Sequence, residues 1–441
     1  MDIPDKILIV GLGKTGIAVA KFLAAQKKKI TITDIKPEDA LNDALSQLKG
    51  IDFKATLGTH LREDFLKNEM IVLSPGVDSE IPLIKEAKEK GIRVVGEIEL
   101  ASSFVKEPII AITGTNGKTT VTTLLGEIFK AQFKDVFVGG NIGNPLINYV
   151  MSDRKAKFII LEISSFQLET IYKFHPYISV LLNITEDHLD RYRSYDEYRD
   201  AKLRIFENQN EKDVAVINKN IFIHIHIRAK KLFFSMKDIL DEGAFYKDGH
   251  MFVRIDGKEY IYRRDLSPLA GEHNTENLLS CLIVSHIAGV DKTVIEDTLK
   301  KFMGLPHRVE FVKNINGITF INDSKATNVD ATKRALEGLK GNVILIAGGK
   351  DKGGSYKEIV GEMKKVKALL LIGEAKERIE KELGLYTKIY KEKDLKDAVI
   401  KAYEMAEKGD TVLFSPMCSS FDMFRDYKER GNTFKQIVES I

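Results

Sequence analysis

The sequence lacks several features, and each absence excludes a class of protein. It has two cysteines and a formal net charge of +3 in 441 residues. So few cysteines exclude a disulfide framework, and the small net charge excludes the strong field that attracts nucleic acid or anionic membranes. No stretch approaches the ~18 consecutive apolar residues of a membrane-spanning helix. The polar N-terminus shows no signal peptide, so we expect a cytoplasmic protein. From the length of the chain we expect roughly three domains.

One stretch predicts nucleotide binding. The run IIAIT (residues 109–113) is typical of a buried strand, and GTNGKTT (residues 114–120) then opens a segment with the apolar spacing of a helix. In this setting backbone amides and the helix N-terminus face an anion, while Lys118 supplies a positive charge and Thr119 a hydroxyl for Mg²⁺. The common motif has one more glycine where Ile112 stands. The alternative is a plain glycine turn with a surface lysine, but the combination favours ATP binding.

A second glycine-rich turn, GLGKTG (residues 11–16), lies near the N-terminus between two short strands, and Asp34 ends the second strand. This arrangement is typical of a dinucleotide-binding unit, although tight packing of a strand against a helix would explain the glycines without any ligand. Ser74 and Gly76 follow a third strand, where they could hold a phosphate or the edge of a uracil.

Polar residues also follow the strands predicted in the middle of the chain. Glu162 comes directly after the apolar run 157–161, and His188 follows the run 177–184. We predict Glu162 as a metal-holding acid, with a helix-start glutamate as the alternative, and His188 as a second metal or substrate ligand. Asn274 and Asn277 share one helix face and could read a nucleotide base. From pattern alone, Lys202 is a lysine on a helix.

The last third of the chain alternates strands with helices, which predicts a parallel sheet. The strands 317–321, 343–347 and 411–414 end at polar or glycine-rich loops, residues 322–328, 348–353 and 415–421. Basic and hydroxyl groups on these loops could converge on a small dianion: Lys325, Thr327, Lys352 and Ser420. Each loop alone could equally be a turn or a helix cap.

Together these motifs resemble those of the Mur ligases, ATP-dependent amide-bond-forming enzymes of peptidoglycan precursor synthesis. The resemblance rests on residues 113–120, Glu162, residues 183–192, His273-Asn274 and residues 304–308, and the motifs at 164–169, 322–328 and 415–421 resemble the D-glutamate-adding branch. It implies an α/β protein with three domains. They are an N-terminal Rossmann-like UDP-binding domain (1–97), a central P-loop ATPase-like domain (98–302) and a C-terminal Rossmann-like amino-acid-binding domain (303–441).

The resemblance also implies roles for individual residues. The catalytic residues would be Lys118, Glu162, His188 and Lys202. The ATP contacts would be Gly114, Thr115, Asn116, Gly117, Lys118, Thr119, Thr120, Asn277, Arg308, Asp323 and Lys325. The substrate contacts would be Thr15, Lys36, Ser74, Pro75, Gly76, Asn141, Thr327, Lys352, Ser420 and Phe421. Two Mg²⁺ sites would use Thr119, Glu162, His188 and Lys202, the last as a carbamate. Lys350 departs from the family pattern, since some relatives have an acid there.

The reaction implied is ATP-dependent joining of UDP-N-acetylmuramoyl-L-alanine to D-glutamate through an acyl phosphate, with the C-terminal domain closing over ATP. We expect a monomer that binds these small molecules and neither nucleic acid nor membrane. The alternatives are a sibling Mur ligase, a folylpolyglutamate synthase-like ligase, an NAD-dependent dehydrogenase using residues 11–16, and an ATP-gated binding protein without catalysis.

Overall fold

The computed structural model describes residues 2–187, 191–269 and 271–441, and these form three β-sheets within two compact units. The first unit comprises Met1–Asn183, Tyr198–Tyr262 and Asn277–Thr298, and the second Ile184–Glu197, Arg263–Glu276 and Leu299–Ile441. Within the part of the chain described, no helix has the length and apolar character needed to cross a membrane. The predicted α/β class is confirmed.

The first sheet has five parallel strands in the order β3-β2-β1-β4-β5. This is the order of a Rossmann-like domain, in which ligands bind where the strand order reverses. The strands are β1 (Lys6–Val10), β2 (Lys29–Asp34), β3 (Lys54–Leu57), β4 (Met70–Leu73) and β5 (Arg93–Gly96). The helices are α1 (Lys14–Ala25), α2 (Asn42–Ser46), α3 (Arg62–Lys67), α4 (Pro82–Glu89) and α5 (Glu97–Ser102), with a 3₁₀ helix at Glu38–Leu41.

The second sheet has nine strands in the order β14-β13-β12-β11-β10-β9-β6-β8-β7. They are β6 (Ile109–Thr113), β7 (Val136–Gly140), β8 (Phe158–Glu162), β9 (Ile178–Leu181), β10 (Val214–Asn218), β11 (Lys230–Ser235), β12 (Gly243–Lys247), β13 (His250–Ile255) and β14 (Lys258–Arg263). The helices of this part of the chain are α6 (Lys118–Phe133), α7 (Leu146–Val150), α8 (Ser165–Leu168), α9 (Tyr195–Leu203), α10 (Glu272–Ile287) and α11 (Lys292–Lys301), with 3₁₀ helices at Arg204–Phe206 and Arg264–Leu266.

Strands β6 to β12 run parallel, so the ends of β6, β7, β8 and β9 meet at one edge of the second sheet. Strand β6 is buried along its whole length, as its β-branched sequence predicts. Strand β13 turns back antiparallel to β12 through Asp248 and Gly249, whose φ angles are 47° and 78°. Both angles are positive, as a tight hairpin turn requires.

The third sheet has six strands in the order β15-β16-β20-β17-β18-β19. They are β15 (Glu310–Ile315), β16 (Ile318–Asn322), β17 (Val343–Gly348), β18 (Val366–Ile372), β19 (Lys388–Lys391) and β20 (Thr411–Phe414). The helices are α12 (Val329–Glu337), α13 (Lys376–Leu383), α14 (Leu395–Met405) and α15 (Tyr427–Ser440), with a 3₁₀ helix at Tyr356–Lys365.

The predicted parallel sheet is confirmed for β16 to β20, but β15 is antiparallel to β16. Only Asn316 and Gly317, both with positive φ, separate the two strands. A connection this short can join only antiparallel neighbours.

Candidate active site

A glycine loop lies at the edge where β6 to β9 end. Gly114 has a φ of +153° and Gly117 a φ of +86°, and Gly117 is the N-cap of the 16-residue helix α6. A Cβ on Gly117 would collide with the side-chain oxygen of Asn277, so the turn requires glycine there. Thr119 and Thr120 open α6, as predicted. The loop therefore places backbone amides and a helix N-terminus together, which is an anion-binding arrangement.

Two lysines contact the same carbonyl of this loop. The Lys118 ammonium donates to the carbonyls of Gly114 at 2.6 Å and Thr115 at 2.7 Å. Lys202, 1% exposed, donates to the Gly114 carbonyl at 3.0 Å. Its ammonium also lies 4.5 Å from the centre of the Tyr198 ring. Because both ammonium groups bond one oxygen, they lie close to each other at the loop.

Glu162 ends β8 on the strand next to β6, and its two carboxylate oxygens are in different situations. Oε1 accepts a hydrogen bond of 3.1 Å from the side-chain amide of Asn141, the residue after β7. Oε2 is buried and has no hydrogen-bond partner among the described residues. A buried oxygen with unused lone pairs is costly unless a donor or cation occupies it. This pair of residues fits a hard cation such as Mg²⁺.

The predicted metal ligand His188 lies outside the described residues. Within the described ranges, no three His, Cys, Asp or Glu side chains gather as a metal site would require. Mg²⁺ usually keeps several waters and takes only one or two carboxylates beside phosphate oxygens. Glu162, a hydroxyl group and a phosphate oxygen would therefore be enough ligands to hold a Mg²⁺ ion.

Asn183 follows the neighbouring strand β9 and shapes the glycine loop, a role that the sequence motifs did not assign to it. Its side-chain oxygen accepts from the Asn116 amide at 2.8 Å, and its side-chain nitrogen donates to the Asn116 carbonyl at 3.1 Å. Its own carbonyl accepts from the Thr115 amide at 3.0 Å. The available signal was an asparagine at the end of a strand on the same sheet edge.

The residues predicted for the sugar nucleotide lie on the first sheet, at the switch point between β1 and β4. The Ser74 hydroxyl donates to the Gly11 carbonyl at 2.7 Å, and Pro75 and Gly76 continue that turn. Thr15 is in the first turn of α1. The Lys36 amide donates to Asp34 at 2.9 Å, and the Leu12 amide donates to the other Asp34 oxygen at 2.7 Å. Both carboxylate oxygens of Asp34 thus accept hydrogen bonds from backbone amides of other residues.

The third sheet brings three predicted loops together at the ends of β16, β17 and β20. Asp323 accepts from the Ser415 hydroxyl at 2.7 Å and from the Val309 amide at 3.2 Å. Burial raises the pKa of Asp323 to about 7, although the Ser415 hydrogen bond and the nearby Arg308 charge oppose this shift. The Lys325 ammonium lies 5.0 Å from the centre of the Tyr427 ring.

Arg430, which no sequence pattern singled out, forms hydrogen bonds to the loops that follow β16 and β20. It is fully buried and donates to the carbonyls of Ser324 at 2.8 Å, Cys418 at 3.1 Å and Ser419 at 3.2 Å. Ser420 is buried beside these carbonyls, whereas Phe421 is 69% exposed. Thr327 and Lys352 lie on the other two loops. The predicted amino-acid contacts therefore share one edge of the third sheet.

Models of three protein domains match the chain in order. They are the MurD-like N-terminal domain of Mur ligases (residues 5–96), the Mur ligase middle domain (112–285) and the Mur ligase glutamate ligase domain (307–418).

Individual proteins match over the full length as well. The UDP-N-acetylmuramoylalanine--D-glutamate ligase of Geotalea daltonii is 48% identical over 441 residues, which cover 99% of this chain and 97% of that protein. The enzyme of the same name from Thermoanaerobacter pseudethanolicus is 45% identical, with 99% and 98% covered. The structure of UDP-N-acetylmuramate-alanine ligase from Thermotoga maritima has the same fold, with a TM-score of 0.62 at 19% identity and 99% of each chain covered.

Proposed function

The chain belongs to the Mur ligase family, and from this membership we propose that it joins D-glutamate to UDP-N-acetylmuramoyl-L-alanine with conversion of ATP to ADP and phosphate. The observation that carries the proposal is at the edge of the second sheet. There the glycine loop follows β6, and Glu162, with its open oxygen, ends the neighbouring strand β8. Lys118 of α6 and Lys202 of α9 both donate to the Gly114 carbonyl of this loop.

We assign the triphosphate to the glycine loop. The amides at the start of α6 and the Lys118 ammonium would neutralise charge on the transferred phosphoryl group, which is most of what phosphoryl transfer requires. Asn277 lies against Gly117 and joins this set. From the C-terminal part of the chain we assign Arg308, Asp323 and Lys325 to ATP.

We assign Mg²⁺, with two sites, to Glu162, Thr119, His188 and Lys202. The ion supplies Lewis-acid stabilisation of phosphate oxygens when bound. Lys202 is 1% exposed and its ammonium shares the Gly114 carbonyl with that of Lys118, so a carbamate on Lys202 would place an anionic group at the glycine loop. The neutral amine of Lys202 adds to carbon dioxide, forming a C–N bond and releasing one proton. The resulting carbamate is an anionic oxygen ligand of the kind Mg²⁺ prefers.

The reaction divides into two steps. The alanyl carboxylate attacks the γ-phosphorus, the bond from that phosphorus to the bridging oxygen breaks, and ADP leaves with the electron pair. The acyl phosphate now has phosphate as its leaving group, whereas a carboxylate would have to expel oxide. The D-glutamate ammonium first loses a proton to His188 or a bound water, which frees the nitrogen lone pair. The amine then attacks the acyl carbon, phosphate leaves from the tetrahedral intermediate, and the nitrogen gives its second proton to solvent as the amide forms.

We assign the two remaining substrates to the other sheets. The UDP group would lie at the switch point of the first sheet, against Thr15, Lys36 and the turn at residues 74–76, because open α/β sheets bind ligands there. Asn141 would contact the muramoyl substrate beside Glu162. D-glutamate would lie against Thr327, Lys352, Ser420 and Phe421. We further propose that the protein is a monomer, which light scattering during size-exclusion chromatography would test.

The test is phosphate release by the purified full-length protein with ATP, Mg²⁺ and UDP-N-acetylmuramoyl-L-alanine. The second substrate is varied among D-glutamate, L-glutamate, D-aspartate, L-lysine and D-alanyl-D-alanine, and the product mass is measured. We expect release with D-glutamate and a product heavier by one glutamyl residue. Release with another substrate in place of D-glutamate identifies a sibling ligase and contradicts the proposal.

Lys118→Ala tests the phosphate loop in the same assay, and we expect it to abolish turnover. Lys130→Ala is the matched control because Lys130 is an exposed lysine in the last turn of the same helix. A Lys118→Ala enzyme with near-normal rates would rule out this loop as the ATP site.

A further inference from the structure

Residues 348–354 form the loop that follows β17 and carries Lys352. Its first half is fixed to the neighbouring loop, because Lys350 and Ser419 exchange two backbone hydrogen bonds of 3.0 and 3.1 Å. A Cβ on Gly349 would collide with the Ser419 carbonyl, so the two loops are in close contact. The backbone at Lys350 is therefore held independently of its side chain.

The second half of the loop is held by Asp351, whose carboxylate is bound on both oxygens. Oδ1 accepts from the Tyr356 hydroxyl at 3.0 Å and from the Gly353 amide at 3.1 Å. Oδ2 forms an ion pair with the Arg378 guanidinium, which also donates to the Gly354 carbonyl. Burial acts to raise the pKa of Asp351, but hydrogen bonds from Arg378 and Tyr356 outweigh it and lower that pKa overall.

Tyr356 and Arg378 are themselves fixed from several directions. The Tyr356 side chain is 2% exposed, its hydroxyl lies 3.2 Å from the Cys418 sulfur, and the guanidinium carbon of Arg378 lies 5.2 Å from its ring centre. Glu382 accepts from the Tyr356 amide at 2.8 Å and from Nε of Arg378 at 3.1 Å. Rigid partners of this kind keep the Asp351 carboxylate in one place.

Lys352 is the next residue in the chain after Asp351 and is half-buried. Throughout the part of the chain that the structure describes, its ammonium makes no hydrogen bond and no ion pair. An acid lies directly before it, yet that acid is bound to Arg378 instead. Lys350 and Lys352 flank Asp351 in the sequence, so a lysine precedes and follows this carboxylate in the chain.

We propose that Tyr356 and Arg378 are positioning residues for the amino-acid substrate: they hold the Asp351 carboxylate away from Lys352, so that the Lys352 ammonium pairs with a carboxylate of the incoming amino acid. This inference rests on the proposed function, in which Lys352 contacts D-glutamate. On this proposal, a free Asp351 carboxylate would compete with the substrate carboxylate for the Lys352 ammonium. The fold prevents this competition by keeping Asp351 bound to Tyr356 and Arg378.

The test is the KM for D-glutamate of the full-length enzyme, measured by phosphate release at saturating ATP and UDP-N-acetylmuramoyl-L-alanine. Tyr356→Phe removes the hydrogen bond to Asp351 and the contact with the Cys418 sulfur but keeps the ring, and we expect a KM raised about fivefold. Arg378→Met removes the ion pair, and we expect a rise of about tenfold. The kcat at saturating D-glutamate and the KM for ATP should stay within about twofold.

The decisive variant adds Asp351→Asn to Arg378→Met. Asparagine keeps the shape of the side chain and cannot compete as an anion, so the double variant should return to within about twofold of the wild-type KM. A purely structural role for Arg378 predicts no such rescue. A double variant with a KM as high as that of Arg378→Met overturns the proposal. The Tyr356→Phe variant, alone and with Asp351→Asn, gives the same comparison should Arg378→Met not fold.

Two exposed residues of the same unit supply matched controls. Tyr386→Phe and Arg425→Met remove the same groups far from Asp351 in sequence, and both should leave the D-glutamate KM unchanged. Lys352→Ala separates this inference from the proposed function. If Lys352→Ala leaves the D-glutamate KM unchanged, the assigned amino-acid site is wrong. If it raises that KM while Tyr356→Phe and Arg378→Met do not, only the positioning role is wrong.

Discussion

The carboxyl group of Glu97 should make the stability of the first unit depend on pH. Glu97 begins α5, is 3% exposed, and accepts a hydrogen bond of 2.7 Å from the Ile147 amide near the start of α7. Burial raises its pKa from 4.5 to about 7, although amides of Leu146 and Ile147 oppose this. A raised pKa means that the folded protein binds the proton more tightly than the unfolded chain.

The sign and size of the effect follow from linkage. The stabilisation is fully present below the unfolded pKa of 4.5, is lost as pH rises through the folded pKa of about 7, and is absent above it. Because each pKa unit corresponds to about 1.4 kcal/mol, the full difference is roughly 3 kcal/mol. Glu97→Gln cannot ionise, and its amide oxygen can still accept from Ile147. The wild type should therefore lose up to roughly 3 kcal/mol relative to this variant between pH 5 and pH 8.

The assay is urea unfolding followed by circular dichroism at several pH values, because the chain has no tryptophan to report by fluorescence. Hydrogen exchange of the peptide containing Ile147 adds a local measurement, since this amide bonds Glu97 directly. Asp323 also has a raised pKa, but comparison of wild type with Glu97→Gln removes its contribution. Glu80→Gln, at an exposed glutamate of the same unit, is the control. Parallel pH profiles for wild type and Glu97→Gln would refute the reasoning.

Three further predictions concern the two sheet edges. Lys202→Ala should be nearly inactive and partly restored by short carboxylic acids that replace the carbamate; an unimpaired enzyme, or no restoration, removes the carbamate. Glu162→Gln should raise the Mg²⁺ concentration for half-maximal rate by about tenfold or more, and an unchanged Mg²⁺ dependence shows that Glu162 is not a ligand. Arg430→Met leaves several buried carbonyls without donors and should lower the free energy of unfolding by roughly 3–5 kcal/mol. Thermal unfolding measures this loss, and a change below about 1 kcal/mol contradicts the role of Arg430 as the link between loops.

Local sequence signals predicted the glycine loop between β6 and α6 correctly, because strand, glycine turn and helix are contiguous there. The contacts that shape the loops could not be predicted in this way. Asn183 bonds Asn116 across 67 residues, and Arg430 bonds Ser324 across 106. No periodicity relates residues so far apart, since only the folded sheet order brings them together.

Short edge strands were also missed, for a different physical reason. Strands β3 and β19 lie at the edges of their sheets, and their residues are half-buried or exposed. Such strands carry neither a continuous apolar run nor a clean alternation, because one side of each faces water. The central strands, such as β6, are buried along their length and were predicted for that reason.

The buried carboxylates Asp34, Glu99 and Glu162 differ in whether the protein satisfies their oxygens. They show why a glycine-rich turn predicts a fold more securely than it predicts a ligand. Asp34 accepts backbone amides on both oxygens, and Glu99 accepts those of residues 172, 173 and 174 at 2.9 to 3.0 Å. The protein itself therefore satisfies these two acids. The glycines at residues 11–16 are explained by close packing, because a Cβ on Gly16 would collide with the Gly11 carbonyl. This turn requires no dinucleotide. Glu162 has one buried oxygen without a donor among the described residues. Since an unsatisfied buried oxygen is costly, the free oxygen of Glu162 supports the cation proposed there, whereas Asp34 is already satisfied by backbone amides.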